Sequence, residues 1–314
     1  MNKDDLRIVY MGTPDFAVAP LKKLIDNGFN IVGVITVADK PAGRGQKLRQ
    51  SPVKVYAESK GLNILQPTNL KSDEFDGQLK ALNPNLQIVV AFRMLPEKVW
   101  SLPKIGTINL HASLLPQYRG AAPINWAVIN GEKETGVTTF FIEKQIDTGE
   151  IILQKKVKIE SDETAGTLHD KLMETGSELI VETCNKFLEG KSESVSQINL
   201  LQEIDSLKPA PKIFKADCKI DWNQPSEVVK NFIHGLSPYP GAFCKIALAN
   251  NNLKTLKVFN VEIESKTGDP GKIEVVDNRL IVYTADTSLA LTLVQLEGKK
   301  RMATSDFLRG VEIG

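Results

Sequence analysis

The stretch LQIVVAFRMLPEKVWSLPKIGTINLHAS, residues 86–113, decides the fold class. It opens on LQIVVAF (Leu86–Phe92), a short apolar run of strand length. It closes on GTINLHAS (Gly106–Ser113), in which Ile108 and Leu110 alternate with Asn109 and His111. Short apolar runs of this kind are strands of a covered sheet. The same grammar extends outward. Upstream, LRIVYMG (Leu6–Gly12) and IVGVITV (Ile31–Val37) are buried strands, and FAVAPLKKLIDNG and PVKVYAESKG are helices closed by Gly28 and Gly61. Downstream, APINWAVING is a helix stopped by Gly131, and GVTTFFIE (Gly136–Glu143) and EIILQKKVKI are strand-like. TAGTLHDKLMETGSELIVETCNKFLEG is then one long amphipathic helix up to Gly190. Strands separated by helices predict an α/β domain over residues 1–190, built on a mainly parallel sheet.

A change of composition follows. KSESVSQINLLQEIDSLKPAPK is polar, ends in two prolines and sustains no period, so residues 191–208 read as a linker. Beyond it one helix, Ser226–Leu236, precedes five strand-like runs: AFCKIAL, LKVFNVEIE, GKIEVV, RLIVYTA and LALTLVQLEG. Turn residues such as NNN, TGDPG and DTS separate them. Residues 209–314 therefore read as a smaller OB-like β-barrel domain.

The chain's 314 residues suit two such domains. Thirty-nine Lys and Arg face 38 Asp and Glu, so no global field points to a polyanionic partner. No apolar run reaches the roughly 18 residues that span a bilayer. The opening MNKDDLRIVYMG carries acids and then a strand, unlike a signal or transit peptide. Cys184, Cys218 and Cys244 fit neither a disulfide framework nor zinc spacing. A cytoplasmic protein with reduced thiols and no metal is the expectation.

Asn109 and His111 share one face of their strand, at the end where open α/β sheets bind ligands. An amide and an imidazole on a sheet face cost stability unless they are hydrogen-bonded or used. His111 is the natural general base among three histidines, since His169 sits within the long helix and His234 at a helix end. The loop SLLPQYRG follows, with Ser113, Leu114, Leu115 and Pro116 suited to one wall of a pocket and AFRMLPE to the other. QIDTGE places Asp147 in a turn between strands, where a carboxylate capping its own backbone is the plain alternative. GTPDF and AGRGQK lack the spacing of dinucleotide and phosphate loops. Residues 40–54 hold Lys40, Arg44, Lys47, Arg49 and Lys54 with no acid, a cationic loop that is either solvated or phosphate-binding.

INLHASLLPQYRGAAPINWAVINGEKETGVTTFFIEKQIDTGEI resembles the core signature of the folate-dependent formyltransferases: Asn–x–His, then Ser–Leu–Leu–Pro, then Asp in an IDTGE turn. RIVYMGTPDFAVAPLKKLI, KPAGRGQKLRQSPVK, KIDWNQPSEVV and LVQLEGKKRM extend the likeness along essentially the whole chain, to the branch acting on methionyl-tRNA. The resemblance implies a Rossmann-like first domain and an OB-like, tRNA-binding second one. It implies formyl transfer from 10-formyltetrahydrofolate to the α-amino group of methionyl initiator tRNA, without a metal or an obligate protein partner. By position, Asn109, His111 and Asp147 match the catalytic trio. Ser113, Leu114, Leu115 and Pro116 match the folate segment, and Arg93, Met94 and Leu95, with Ile146, the wall around the pterin. Lys40, Arg44, Lys47 and Arg49 match the tRNA-binding loop. Two positions depart from the usual residues: Arg93 replaces a common glycine and Lys40 a common arginine. Formyltransferases acting on small amines, a folate deformylase and a non-catalytic nucleic-acid binder are the rival readings.

Overall fold

The computed structural model describes residues 1–42, 47–191, 193–201, 206–249 and 252–313. Arg44 lies outside the described residues, as does the side chain of Lys47. Contacts divide the chain into two compact units: Met1–Gly120 with Thr135–Val157 and His169–Pro209, and Ala121–Glu134 with Lys158–Leu168 and Ala210–Gly314.

In the first unit the expected strands form, together with the short Ile64–Leu65 strand that the sequence reading does not include. They are β1 (Ile8–Gly12), β2 (Ile31–Ile35), β5 (Ile64–Leu65), β6 (Leu86–Val90), β7 (Gly106–His111), β8 (Glu134–Phe141) and β9 (Ile151–Lys158). They make one seven-stranded sheet in the order β5-β2-β1-β6-β7-β8-β9. The pairs from β5 to β7 are parallel, whereas β8 runs antiparallel to β7, with Asn109 opposite Phe140 and His111 opposite Thr138. All five residues of β1 and of β6 are buried, and apart from Gln87 their side chains are those of apolar runs covered on both faces. Helices α1 (Val18–Asp26), α2 (Pro52–Ser59), α3 (Asp73–Ala81), α4 (Glu97–Trp100) and α6 (Ala165–Leu188) cover the sheet. One face packs Val9, Met11, Ile35 and Val89 against Phe75, Leu79 and Val99 of α3 and α4. Near β7, α6 comes so close that a Cβ on Gly176 would lie 2.8 Å from Leu110 Cδ2. Ser51 and Ser72 cap α2 and α3 through their hydroxyls.

In the second unit α5 (Pro123–Ile129) packs on α8 (Ser226–Gly235), Asn125 Nδ2 donating to the Gly235 carbonyl at 2.8 Å. The α5 segment therefore groups with the C-terminal residues and not with the flanking strands. The antiparallel sheet comprises β10 (Ala242–Ala247), β11 (Leu253–Glu264), β12 (Ile273–Val276), β13 (Arg279–Tyr283) and β14 (Ser288–Leu296), with β15 (Met302–Ala303) beside β14. Its order, β10-β11-β14-β13-β12, makes the OB-like unit an open half-barrel. The sheet and α8 enclose Ile233, Val258, Leu280, Val282, Leu291 and Val294, and α9 (Thr304–Gly310) adds Phe307. The three cysteines are free and buried.

The register of β11 against β14 slips around Asn260, and the slip frees the Val261 N–H to point at His234 Nε2, 3.5 Å away. His234 is buried. Burial, reinforced by the charge of Lys230, holds its imidazole below the ordinary value, against the opposing pull of an Asn260 hydrogen bond and of Asp162. The unfolded chain titrates this side chain near pH 6.5. Because the unfolded form then binds the proton more readily, His234 stabilises the fold fully above about pH 6.5 and progressively less as the pH falls below it. Melting temperature should thus decline from pH 7 to pH 5 more steeply in the native chain than in His234→Gln. Parallel profiles for the two proteins would show that His234 is not held neutral.

Candidate active site

His111 is the last residue of β7, and its ring lies edge-on to Phe140 at 6.4 Å. Its Nε2 is 2.8 Å from the Tyr118 carbonyl oxygen. A carbonyl only accepts, so Nε2 carries the hydrogen, and the lone pair of the neutral ring sits on Nδ1. Nδ1 faces Asp147 Oδ2 across 3.9 Å, too far for a direct hydrogen bond. Tyr118, and not Asp147, therefore sets the ring's orientation. Asn109, two residues earlier on the same face, is half-buried, and its side-chain amide has no hydrogen-bond partner among the described residues. Among the described residues, neither the amide nor Nδ1 has a hydrogen-bond partner at this strand end.

The turn after β8 returns Asp147 to His111. Asp147 has φ +55°, a left-handed conformation that aspartate tolerates better than most residues. Its Oδ2 accepts from the Gly120 N–H at 2.9 Å, so the carboxylate caps the chain just past the SLLPQYR loop and not its own turn. Gly149 is needed two residues later, because a Cβ there would stand 1.8 Å from the Phe141 carbonyl oxygen.

The loop from Ser113 is fixed by one hydroxyl. Thr138 Oγ1 donates to the Ser113 carbonyl at 2.7 Å and accepts from the Leu115 N–H at 3.2 Å and from Gln154 Nε2 at 2.9 Å. Ser113 Oγ donates to the Gln117 carbonyl, and Leu115 and Pro116 are buried, which leaves Leu114 half-buried. Of the opposite wall, Leu95 is buried in the sheet core, while Met94 is 75% and Ile146 60% exposed. Arg93 turns its guanidinium away to the carbonyls of Pro67 and Thr68. The expected trio thus converges, and Met94 and Ile146 are the wall residues that leave large apolar surface open.

The basic segment is a small ribbon where it is described: β3 (Lys40–Ala42) pairs with β4 (Lys47–Arg49), Lys40 opposite Arg49, both exposed. Lys54 is not part of that charge. Its Nζ is 2.5 Å from Asp39 Oδ2, and the Asp39 bond raises its pKa above the ordinary lysine value. Among the described residues no group of three His, Cys, Asp or Glu side chains gathers as a metal site. Likewise no helix among them is long and apolar enough to cross a membrane.

Sequence reasoning missed Thr138, Gln154 and Gln197. Paired threonines inside a buried strand were the available signal for the first. The other two sit in segments whose composition reads as exposed strand and linker.

The chain matches the family described as formyl transferase over residues 6–184 and the formyl transferase C-terminal domain over residues 212–312. It is 53% identical to the methionyl-tRNA formyltransferase of Bacteroides fragilis over 100% of this chain and 97% of that protein. It is 49% identical to that of Flavobacterium johnsoniae, over 98% of this chain and 97% of that protein. Among solved structures, HypX from Aquifex aeolicus in complex with tetrahydrofolic acid superposes with TM-score 0.66 at 19% identity, over 98% of this chain and 48% of HypX. The chain thus spans about half of HypX. An N-formyltransferase from Helicobacter canadensis, in complex with folinic acid and dTDP-3-aminofucose, gives TM-score 0.64 at 19% identity over 91% of this chain and 98% of that one. At those identities the two structures speak for the fold alone. With both family domains matched in order and relatives at about half identity along its whole length, this chain belongs to the formyl transferase family.

Proposed function

We propose that this chain transfers the formyl group of 10-formyltetrahydrofolate to the α-amino group of methionyl initiator tRNA, for translation initiation. The observation that carries this reading is the Nδ1 of His111 facing the Asp147 carboxylate at 3.9 Å, on the strand face that presents the unpartnered Asn109 amide. The full-length likeness to methionyl-tRNA formyltransferases supports the choice of substrate.

The residue types suit the reaction. An amine attacks the formyl carbon only when neutral, and it becomes positively charged as the new C–N bond forms. His111 Nδ1 accepts that proton, while Nε2–H stays on the Tyr118 carbonyl and Asp147 balances the imidazolium charge. The former carbonyl oxygen becomes an oxyanion, to which Asn109 Nδ2–H donates. When the bond from the formyl carbon to N10 breaks, His111 returns one proton to N10 and tetrahydrofolate leaves. Met94 and Ile146 offer exposed apolar surface of the kind a pterin ring covers, and the Leu114–Pro116 segment supplies the folate side. Lys40, Arg44, Lys47 and Arg49 hold phosphates of the acceptor end, and the half-barrel unit contributes to tRNA binding. Charged initiator tRNA places the reaction in the cytoplasm.

Asn109→Ala, His111→Ala and Asp147→Ala should each fold and lose most formyl transfer, about 100- to 1,000-fold for the oxyanion donor Asn109. Tetrahydrofolate release, followed spectroscopically with and without charged initiator tRNA, is the assay. Release without tRNA would indicate a deformylase, and turnover on a small amine but not on tRNA would overturn the substrate. For the basic segment 40–49, tRNA affinity measured against salt in Lys40→Ala, Arg44→Ala and Arg49→Ala should lose about one unit of slope per substitution. Unchanged affinity in all three would leave the segment a solvated surface.

A further inference from the structure

Residues 194–201, inside the stretch whose composition reads as a linker, hold the Asp147 turn. Val195 pairs with Ile151 in an antiparallel bridge with both N–H···O distances at 2.8 Å, and Ser194 Oγ donates to the Glu150 carboxylate at 2.5 Å. Helix α7 (Gln197–Leu201) follows, and Leu200 packs on the cluster of Leu115, Phe140 and Ile151. This anchorage delivers the Gln197 side chain, 2% exposed, to the space between the Asp147 turn and Arg119. Its Nε2 donates to the carbonyls of Asp147 at 3.0 Å and Gly149 at 2.7 Å. Its Oε1 accepts from Arg119 Nε at 3.1 Å and Nη2 at 2.6 Å. Both hydrogens and both lone pairs of the amide are therefore used.

We propose that Gln197 is a positioning residue for formyl transfer, clamping Asp147 against the Arg119–Gly120 stretch so that its carboxylate stays opposite His111 Nδ1. The inference rests on the reading of Asp147 as catalytic. Asp147 is held at two points from two directions: its carbonyl by Gln197 and its carboxylate by the Gly120 N–H. The residue next to Gly120 is Arg119, whose guanidinium is fixed on the other end of the same amide. One side chain thus sets the separation of the two stretches that meet at the carboxylate. A non-glycine residue in the left-handed region persists only when its surroundings over-determine it, and these bonds supply that. The chemistry also explains the residue type. Glutamate would keep the length and the Arg119 contact, yet set a carboxylate oxygen against two carbonyls that need a donor. Methionine would keep the bulk and lose all four bonds.

The experiment measures kcat, KM for both substrates and melting temperature in Gln197→Glu, Gln197→Met, Asp147→Asn and the double variant Asp147→Asn/Gln197→Met. Ile198→Ser, at a neighbouring side chain that is 70% exposed, serves as control and should keep the native kcat. A misplacement of about 1 Å costs up to roughly 100-fold in rate, so each Gln197 variant should lose roughly 10- to 100-fold in kcat with both KM values within about twofold. If Gln197 acts through Asp147, its substitution should add little to Asp147→Asn, where the group being positioned is already gone. A kcat within twofold of native in soluble, folded Gln197→Glu would overturn the proposal. So would full additivity in the double variant, which would show Gln197 acting elsewhere. Native kcat in Asp147→Asn would instead bring down the catalytic reading of Asp147 itself, a failure visible before any Gln197 variant is compared.

Discussion

A buried imidazole has two nitrogens to satisfy, and His111 gives one to a backbone carbonyl seven residues along the chain, at 2.8 Å. That bond fixes which nitrogen is left for chemistry, since the hydrogen on Nε2 leaves the lone pair on Nδ1. It also forces the intervening loop to fold back over the strand end, so that Tyr118 reaches the ring. Everything else at the site answers to this closure. Thr138 and Gln154 hold the middle of the loop, and its far end, at Gly120, meets the Asp147 carboxylate. Loop and carboxylate are thereby tied to one another without a hydrogen bond to His111 Nδ1.

The antiparallel β8 matters for the same reason. Parallel strands alone would carry the chain away through a crossover after β7. By lying antiparallel beside β7, β8 places Thr138 opposite His111, where its hydroxyl reaches the loop. The sequence GVTTFFIE read as a strand, but nothing in its pattern gave a direction. Two threonines on a buried strand were a polar cost without a visible partner: Thr138 finds the loop more than twenty residues before it, and Thr139 finds the Thr183 hydroxyl of α6 at 2.8 Å.

Legibility followed the range of the forces involved. Strands β1, β2, β6 and β7 are continuous or alternating apolar runs, so burial alone reveals them, and α6 shows its period over 24 residues. Helix α3, DEFDGQLKA, carries only Phe75 and Leu79 as buried residues, too few for a period. The candidate site was legible because an amide and an imidazole on a sheet face are conspicuous, and because the motifs follow one another in the order of the family it resembles. The role of each member was less so. Asp147 stands 3.9 Å from His111 Nδ1, and it is the Tyr118 carbonyl that orients the ring. Backbone carbonyls have no letter in a sequence. The segment at 194–201 is the extreme case, since a two-residue bridge, the Ser194 hydroxyl, the Gln197 amide and Leu200 tie it down, with no periodic face to announce it.

Strain completes the argument. Tyr118 at φ +59° and Asp147 at φ +55° are non-glycine residues in the left-handed region, and such positions cost on the order of 1–3 kcal/mol each. Both are clamped through their own backbones. The Tyr118 N–H donates to the Lys208 carbonyl at 2.7 Å while its carbonyl takes His111 Nε2, and the Asp147 carbonyl takes Gln197 Nε2. Both outer clamps come from one stretch of chain, from residues 197 and 208. A polar segment with little core of its own thus counterbalances strain at two points of the site. Its polarity is what suits it to the task, because strained backbone needs donors and acceptors facing it, and an apolar helix in the same place would bury those carbonyls without partners.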